Sequence, residues 1–245
     1  MKVISVIPAR YASTRFPGKL MEILEGKTII LRTYEQAVAS GLFDKVIVAT
    51  DSKLIYDEMI SNGGNVVMSK KEHECGSDRI AEAVEYINAD VVVNVQGDEP
   101  FIDTESLKNL IAVFYEDLDN KIDLASLMTP LNDAESILDP SNVKVIVDRQ
   151  NFALYFSRSP IPFNRDIEDS VNYFKHIGVY AFRKKALIDF SKQEVTPLEA
   201  AEKIECIRYL EHGKRIKMVE TQVFNFGIDT PADLKKAKAF LKKQH

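Results

Sequence analysis

The stretch VISVIPARYASTRFPGK, Val3 to Lys19, joins a short apolar run to a loop rich in positive charge. Its first residues, VISVI, are mostly β-branched, which is typical of a strand buried in a parallel sheet. The loop that follows carries three cations and two hydroxyls, which are Arg10, Ser13, Thr14, Arg15 and Lys19. Open α/β sheets bind ligands beyond the carboxyl ends of their strands. The stretch therefore predicts a first strand that delivers a polar loop to a ligand site.

Strands and helices alternate through the first half of the chain. The runs KVIVAT at 45–50 and DVVVNV at 90–95 resemble the first strand in composition. Helical patterns are predicted at 33–40, 52–61 and 77–87. This βαβαβ order predicts an α/β fold with a Rossmann-like mixed sheet flanked by helices.

The pattern changes after Asp119. Four strand-like runs follow with few helical patterns between them, at 122–129, 143–147, 152–157 and 177–182. We therefore expect a single domain over 1–245 that contains a smaller strand-rich lobe at about 120–185, carrying substrate contacts and a dimer surface. Helices return late in the chain. TPLE at 196–199 is a capping box with proline at N1, and it predicts a helix that continues to His212. TPAD at 230–233 predicts the start of a C-terminal helix.

Charge and composition exclude several classes of protein. The net charge of −5 disfavours a non-specific nucleic-acid binder, so any polyanion must be held by a local basic cluster. The two cysteines, Cys75 and Cys206, lie far apart, which favours reduced thiols in a cytoplasmic protein. The first apolar run ends at Pro8, too early for a signal peptide, and no run approaches the roughly 18–20 apolar residues of a membrane span. We expect a cytoplasmic protein without membrane insertion.

The basic loop has a composition that can surround a triphosphate. Two unit charges about 4 Å apart attract by roughly 4 kcal/mol at an effective dielectric constant near 20, so a few such contacts matter for a highly charged leaving group. The loop contains neither GxxxxGK[ST] nor GxGxxG, which argues against a P-loop and against a dinucleotide site. On spacing alone, a solvated basic loop is an equally good interpretation.

The run QGDEP at 96–100 directly follows the third predicted strand. A carboxylate at this edge of the sheet, opposite a phosphate loop, is a natural Mg²⁺ ligand, because Mg²⁺ takes one or two carboxylates with phosphate oxygens and water. Gly97 would permit close approach of a ligand. Alternatively, Asp98 or Glu99 caps a turn.

Two further aspartates stand between a predicted strand and a predicted helix. Asp229, in the run FGIDTP, is either a second metal ligand or a residue that precedes a helix cap. Local sequence does not choose between these. Asp51 has a similar setting, but no loop chemistry accompanies it, so we interpret it as a helix cap.

Together these motifs resemble the 3-deoxy-manno-octulosonate cytidylyltransferase family, the CMP-Kdo synthetases, whose fold is of the nucleotide-diphospho-sugar transferase type. The matching runs are IPARYASTRFPGK, VATD, GSDRIAE, VNVQGDEP, NVKVIVD, ALYFSRSPIPF, KHIGVYAFR, PLE and GIDTPADL. The first is shared with related cytidylyltransferases, whereas ALYFSRSPIPF and KHIGVYAFR are more specific to the Kdo branch. The runs extend through nearly the whole chain.

The resemblance implies that a cytoplasmic homodimer transfers CMP from CTP to the anomeric hydroxyl of 3-deoxy-manno-octulosonate (Kdo). The products would be CMP-Kdo and pyrophosphate, made for lipopolysaccharide synthesis with Mg²⁺ as cofactor. The implied nucleotide-binding residues are Arg10, Ser13, Thr14, Arg15, Lys19, Gly76, Ser77 and Arg79. The implied sugar-binding residues are Gln96, Arg158, His176, Tyr180 and Glu205. The implied catalytic residues are Lys19, Arg10, Asp98 and Asp229, of which the two aspartates would hold the metal.

The chain departs from the family pattern on the late helix. The family usually reads Leu-Glu-Gln-Leu-Arg, where this chain has IECIR at 204–208. Cysteine cannot replace the paired donor and acceptor of glutamine. Because Glu199, Glu202 and Cys206 share one face of the predicted helix, we expect sugar recognition to be altered. Cys75, just before the Gly76 segment, is a second departure of smaller expected effect.

Two alternative functions remain open from the sequence. One is a cytidylyltransferase for a related sugar acid, such as 8-amino-Kdo or a nonulosonic acid. The other is a nucleotide-sensing protein that has kept the fold and lost turnover. The presence of both aspartates and of all three loop cations argues against the second.

Overall fold

The structure is a computed structural model that describes residues 1–12, 16–73, 75–101, 103–165, 171–222 and 227–242. The strands are β1 Val3–Ala9, β2 Ile23–Leu24, β3 Lys27–Thr28, β4 Lys45–Thr50, β5 Val66–Met68, β6 Val91–Asn94, β7 Leu124–Leu131, β8 Lys144–Val147, β9 Ala153–Ser157, β10 Tyr173–Arg183 and β11 Ile216–Glu220. The helices are α1 Ile29–Ala39, α2 Lys53–Ser61, α3 Gly76–Val84, α4 Thr104–Glu116, α5 Ala134–Leu138, α6 Lys184–Phe190, α7 Pro197–Glu202, α8 Cys206–Glu211 and α9 Pro231–Lys242. Across these ranges, none of the helices has the length and apolar character needed to span a membrane.

The chain divides into two compact units. The first comprises Met1–Leu107 and Phe224–His245, and the second comprises Lys108–Val223. The strand-rich lobe predicted at about 120–185 falls within the second unit. The predicted class, a mixed α/β fold with sheet strands flanked by helices, is confirmed.

The first unit contains a parallel sheet in the order β6-β1-β4-β5. Strand β1 pairs with β4 from Ile4 to Ala9 and with β6 from Val3 to Val6. Nearly every β1 residue is buried, which requires cover on both faces of the strand. Helices α1 and α3 pack against β1 and β4, and α2 packs against β4 and β5. The carboxyl ends of β1 and β6 therefore lie side by side.

Helix α1 begins four residues before its predicted start. Thr28 is the N-cap, and its Oγ1 accepts a hydrogen bond from the backbone N–H of Leu31 at 3.3 Å. The apolar residues that follow, Ile29 to Leu31, are buried. The cap and the packing of these residues on the sheet therefore extend the helix toward its N-terminus. Helix α3 ends at Val84, three residues short of the prediction.

The second unit is built on the strand order β11-β7-β10, with β8 pairing β10 and β9. Strand β10 is antiparallel to β7 and β8, whereas β11 is parallel to β7. The register of β10 against β7 shifts between Ile177 and Tyr180. This irregularity gives β10 a local bend at the residues that the resemblance assigns to the sugar.

The single helix predicted from 197 to 212 is wrong, because the chain breaks it into α7 and α8. Lys203 adopts a left-handed conformation with φ of 55° and ends α7. Glu199 is buried and accepts two hydrogen bonds from the Arg208 guanidinium, at 2.6 and 2.7 Å. This ion pair links the two short helices. Glu199 and Cys206 consequently do not share the face of one continuous helix.

Candidate active site

The loop after β1 begins and ends with residues of the predicted nucleotide site. Arg10 is exposed directly after β1. Gly18 has a φ of 69°, and its backbone N–H donates to the Tyr11 carbonyl at 3.1 Å, which closes the loop just before Lys19. Lys19 starts a short 3₁₀ helix, Lys19–Met21. Three predicted residues, Ser13, Thr14 and Arg15, lie outside the described residues.

The Lys19 ammonium group connects two acidic loops of the first unit. It donates to Asp98 and, at 2.9 Å, to Asp229 Oδ1. The Lys19 side chain is only 14% exposed, whereas that of Asp229 is 42% exposed. Burial would by itself lower the pKa of Lys19, but the charges and hydrogen bonds of the two carboxylates outweigh it and raise the pKa. Lys19 is therefore a positive charge at neutral pH, placed between two carboxylates.

Gly97 allows the QGDEP loop to reach this position. A Cβ atom at Gly97 would lie 3.1 Å from the Pro8 carbonyl oxygen and 3.3 Å from Leu20 Cδ1. The close approach of the protein's own backbone thus accounts for the glycine, and the approach of a ligand at Gly97 stays a prediction. Thr33 Oγ1 donates to the Gly97 carbonyl at 3.0 Å and fixes the turn.

A backbone hydrogen bond connects the two aspartate loops. The Ile228 N–H donates to the Asp98 carbonyl at 2.9 Å. Asp229 is followed by α9, whose N-terminus is capped as predicted: Thr230 and Asp233 exchange hydrogen bonds of 2.8 to 3.2 Å. The interpretation of Asp229 as a residue that precedes a helix cap is therefore confirmed, and its carboxylate also accepts from the Lys19 ammonium, whereas its role as a metal ligand stays a prediction.

Glu99 is a third carboxyl group of this cluster, and the role predicted for it was a possible turn cap. Burial, followed by repulsion from Asp98 and Asp229, raises its pKa to about 7, although Lys19 opposes the shift. The single charge of Lys19 is shared with Asp98 and Asp229, so it does not offset the repulsion that these two carboxylates exert on Glu99. Glu99 is therefore partly protonated at neutral pH. Because Glu99 directly follows Asp98 in the sequence, its membership of the cluster could have been predicted.

The start of α3 lies close to the end of β1. Gly76 is the first residue of the helix, and a Cβ atom there would lie 3.7 Å from Pro8 Cγ. Ser77, the next residue, is buried. The N–H groups of the first helical turn and the helix dipole make such an end favourable for anions. Two of the predicted nucleotide residues, Gly76 and Ser77, thus lie at the same edge of the sheet as the basic loop.

Arg79 has a structural pairing that the sequence did not indicate. Its side chain is buried, and it donates to Asp51 at 2.5 Å and to Ser69 Oγ at 3.1 Å. The interpretation of Asp51 as a helix cap is wrong, because Ser52 is the N-cap of α2. Arg79 and Asp51 instead fix α3 to the carboxyl end of β4. Arg79 is thereby placed behind the nucleotide segment rather than exposed at its surface.

The gap between Asp98 and Asp229 has the chemistry of a divalent-cation site. It already accommodates one cationic group, the Lys19 ammonium. Mg²⁺ is usually held by one or two carboxylates, with substrate phosphates and water completing the octahedron. No three His, Cys, Asp or Glu side chains in the described ranges form a group that would hold a metal by itself. A metal at this position would therefore need oxygens from a nucleotide.

In the second unit, His176 is buried on β10. One ring nitrogen, Nε2, lies 3.0 Å from Ser126 Oγ, and the ring packs edge-on against Phe156 at 4.9 Å between centroids. Burial lowers the pKa of His176 to about 4. The ring is neutral at physiological pH, which suits a hydrogen-bonding role and disfavours proton abstraction.

Tyr180 and Glu205 lie in the same cluster as His176. The rings of His176 and Tyr180 are 5.5 Å apart between centroids. Burial, with the nearby Cys206 and Glu205, raises the pKa of Tyr180 well above its ordinary value. The Cys206 side chain is buried and hydrogen-bonded to Tyr180. Cysteine at this position therefore contacts the tyrosine hydroxyl and is itself shielded from solvent.

The other two predicted sugar residues lie elsewhere. Arg158 directly follows β9, where its side chain donates to the backbone carbonyls of Glu202 and Pro140. Gln96 belongs to the first unit, and its carbonyl accepts from the Glu99 N–H at 3.1 Å in the turn that carries Asp98. In the first unit, the predicted residues thus form a cluster of Lys19 with two aspartates. In the second unit, they form a cluster of His176 with Tyr180, and Arg158 is hydrogen-bonded to backbone carbonyls.

Comparison with known proteins identifies close relatives over the full length. Residues 4–216 match the cytidylyltransferase family. A 3-deoxy-manno-octulosonate cytidylyltransferase of Christiangramia forsetii is 62% identical over 240 residues, covering 98% of this chain and 97% of the relative. The enzyme of the same name from Flavobacterium johnsoniae is 61% identical over 242 residues, covering 99% of each chain.

A solved structure supports the same relationship. It is described as CMP:2-keto-3-deoxy-manno-octonic acid synthetase complexed with CTP. It superimposes with a TM-score of 0.94 at 37% identity and covers 100% of both chains. The likeness therefore includes both compact units.

Proposed function

Because the chain belongs to the cytidylyltransferase family, we propose that it works as a 3-deoxy-manno-octulosonate cytidylyltransferase. It transfers CMP from CTP to Kdo and releases pyrophosphate. The observation that carries the proposal is the Lys19 ammonium between Asp98 and Asp229. Such a cluster provides a cation for a triphosphate and two carboxylates for a metal at one edge of the sheet.

Residues of the first unit would hold the nucleotide. Transfer at phosphorus depends mainly on positioning and on neutralising charge. Lys19 and the exposed Arg10 would stabilise the departing pyrophosphate, because negative charge accumulates there as the bond to the α-phosphorus breaks. The N-terminus of α3, at Gly76 and Ser77, would add N–H donors for the nucleotide. Ser13, Thr14 and Arg15 are assigned to the same pocket by resemblance alone.

Asp98 and Asp229 would hold Mg²⁺ through their carboxylates, with nucleotide oxygens as the further ligands. When bound, Mg²⁺ would lower the pKa of the sugar hydroxyl and neutralise phosphate charge. Lys19 would then have to exchange at least one of its two carboxylate bonds for a phosphate oxygen. Glu99, with its pKa near 7, would lose its proton more readily as positive charge accumulates beside it.

The second unit would recognise the sugar acid. His176 and Tyr180 would direct hydrogen bonds at its hydroxyls, with Glu205 beside them, and Arg158 would pair with its carboxylate. Gln96, which belongs to the first unit, is assigned to the sugar by resemblance alone. The neutral state of His176 supports a role in binding rather than as a general base.

A pyrophosphate-release assay with CTP and different sugar acids tests the proposal. We expect the highest kcat/KM with Kdo, and loss of turnover after chelation of divalent metal. Product from 8-amino-Kdo or a nonulosonic acid, with none from Kdo, would show that the sugar assignment is wrong. CTP binding without turnover on any of these sugars would favour the nucleotide-sensing alternative.

We also propose a homodimer in the cytoplasm that supplies CMP-Kdo for lipopolysaccharide synthesis. The second unit exposes large apolar side chains: Leu138, Leu154 and Phe163 are 67%, 58% and 88% exposed. Such residues suit a covered surface. Neither Cys75 nor Cys206 forms a disulfide within the described residues, as suits a reducing compartment. Sedimentation analysis at micromolar concentration should give twice the chain mass, whereas a monomer would contradict the dimer.

A further inference from the structure

A lysine with no solvent exposure lies inside the second unit. Lys144 is the first residue of β8, and its exposed fraction is 0%. Within the described residues its ammonium donates to one acceptor, the Asp139 carbonyl, at 3.0 Å. Burying an amine costs free energy that a single carbonyl bond does not offset, whereas an apolar side chain of similar size would fill the space at lower cost. Packing alone does not explain a lysine here.

The surroundings of Lys144 point to Arg158. Lys144 lies opposite Ser157 in the β8–β9 pairing, and Ser157 is the residue that precedes Arg158. Its ammonium is close enough to interact electrostatically with Asp139, Glu202 and Arg158. The buried amine is therefore part of a charged group that includes the predicted carboxylate-binding arginine.

Glu202 and the loop fixed by Lys144 hold Arg158 from two sides. The Arg158 backbone N–H donates to Glu202 Oε2 at 2.9 Å, and its Nε donates to the Glu202 carbonyl at 2.8 Å. Its Nη1 donates to the Pro140 carbonyl at 3.0 Å. Pro140 directly follows Asp139, whose carbonyl accepts from Lys144. Lys144 thus fixes the position of an acceptor that Arg158 uses.

These contacts orient the rest of the guanidinium. The group is planar and carries five N–H donors in a rigid fork, so fixing Nε and Nη1 also fixes the direction of Nη2. Within the described part of the chain, Nη2 of Arg158 has no hydrogen-bond partner. Ser157 Oγ donates to Glu202 Oε1 at 2.6 Å. This bond holds the carboxylate that accepts a hydrogen bond from the Arg158 backbone N–H. Donors preorganised in this way bind a carboxylate without paying for side-chain ordering.

We infer that Lys144 and Glu202 are positioning residues that hold Arg158 in one orientation for the carboxylate of the sugar acid. The inference rests on the proposed function, since that function supplies the carboxylate. Neither residue needs to touch the substrate. Their effect should therefore appear in sugar binding and leave nucleotide binding unchanged.

Steady-state kinetics of Lys144→Met and Glu202→Gln test the inference, with CTP and Kdo varied separately. We expect KM for Kdo to rise about tenfold in each variant, equivalent to about 1.4 kcal/mol. KM for CTP and kcat should stay within about twofold of wild type. Lys217→Met is the matched control, because Lys217 also donates to a backbone carbonyl of the second unit, Gln150 O at 2.6 Å. This control should keep wild-type kinetics.

A double-mutant cycle with Arg158→Met separates positioning from a general loss of structure. If Lys144 acts through Arg158, adding Lys144→Met to Arg158→Met should raise KM for Kdo no further. Equal and independent effects in the two backgrounds would overturn the inference. So would an unchanged KM for Kdo in Glu202→Gln, which remains informative even if Lys144→Met does not fold. Wild-type protein that makes no product from Kdo would instead refute the proposed function.

Discussion

Replacing Lys19 with methionine keeps an unbranched side chain one atom shorter and removes the ammonium that bonds to both Asp98 and Asp229. The three carboxyl groups of the cluster, which include Glu99, would then repel one another without the ammonium that lies between Asp98 and Asp229. The metal-free protein should therefore be less stable. Because Lys19 opposes the rise in the pKa of Glu99, that pKa should move higher still in the variant.

The contacts set the size of the effect. A hydrogen bond to a charged group contributes about 1.5–3 kcal/mol when shielded from solvent. The bond to Asp229 is worth less, because that side chain is 42% exposed and its charge is screened. Burying the Lys19 ammonium costs free energy in the wild type, and because the variant lacks this cost, part of the lost stability is regained. We expect the free energy of unfolding to fall by about 2 kcal/mol, a decrease in Tm of about 4–8 °C for a chain of this size.

Thermal unfolding with and without Mg²⁺ and CTP measures the change in stability, and pyrophosphate release measures the change in turnover. Mg²⁺ added together with CTP, whose oxygens complete the site, should restore stability to the variant by about 2.7 kcal/mol at 100 times the Kd of the complex, since a ligand of the folded state stabilises it by mass action. Turnover should still fall about 100-fold, because the charge that stabilises pyrophosphate is lost. Lys27→Met is the control: its ion pair with Glu35 is exposed, and its loss should change Tm little. An unchanged Tm and wild-type turnover in Lys19→Met would refute the reasoning.

Three further predictions concern single residues. Asp98→Asn should fold but lose most pyrophosphate release, and wild-type turnover would remove its metal role. Because the pKa of His176 is about 4 in the fold against 6.5 ordinarily, the unfolded chain takes up a proton first as pH falls. His176 therefore lowers the free energy of unfolding progressively as the pH falls from 6.5 to 4. In urea unfolding, the free energy of unfolding of His176→Gln should fall by about 3 kcal/mol less than that of wild type over this pH range. Parallel pH profiles of the two proteins would contradict this prediction. Gly97→Ala should reduce the free energy of unfolding by about 1–3 kcal/mol, because its Cβ would lie 3.1 Å from the Pro8 carbonyl oxygen; an unchanged urea midpoint would contradict it.

The sequence predicted features that depend on local pattern. The β-branched runs at 45–50 and 90–95 form parallel strands, and the capping boxes at Thr196 and Thr230 begin helices. The basic loop and the QGDEP loop meet because the carboxyl ends of adjacent parallel strands share one edge. These predictions succeeded because hydrophobic period and cap chemistry act within a few residues.

Features that depend on distant contacts were not predictable. Lys19 and Asp229 are 210 positions apart, so local sequence left both roles of Asp229 open. Residues 197–211 contain no internal glycine or proline to end a helix, yet Lys203 adopts a left-handed conformation there. Asp51 resembled a helix cap until the buried Arg79 appeared as its partner. For Asp229 and Asp51, the partner that decided the outcome lies far away in the sequence.

In the proposed reaction, the chain transfers CMP directly from CTP to Kdo, and the Lys19–Asp98–Asp229 cluster is the metal and triphosphate site. Phosphorus NMR of CTP, Kdo and Mg²⁺ with the wild-type protein tests it most directly. We predict equal amounts of a CMP-Kdo phosphodiester and pyrophosphate, formation that stops on chelation and resumes on adding Mg²⁺, and loss of both products in Asp229→Asn. Consumption of CTP without a CMP-Kdo signal, or full product formation by Asp229→Asn, would contradict the account.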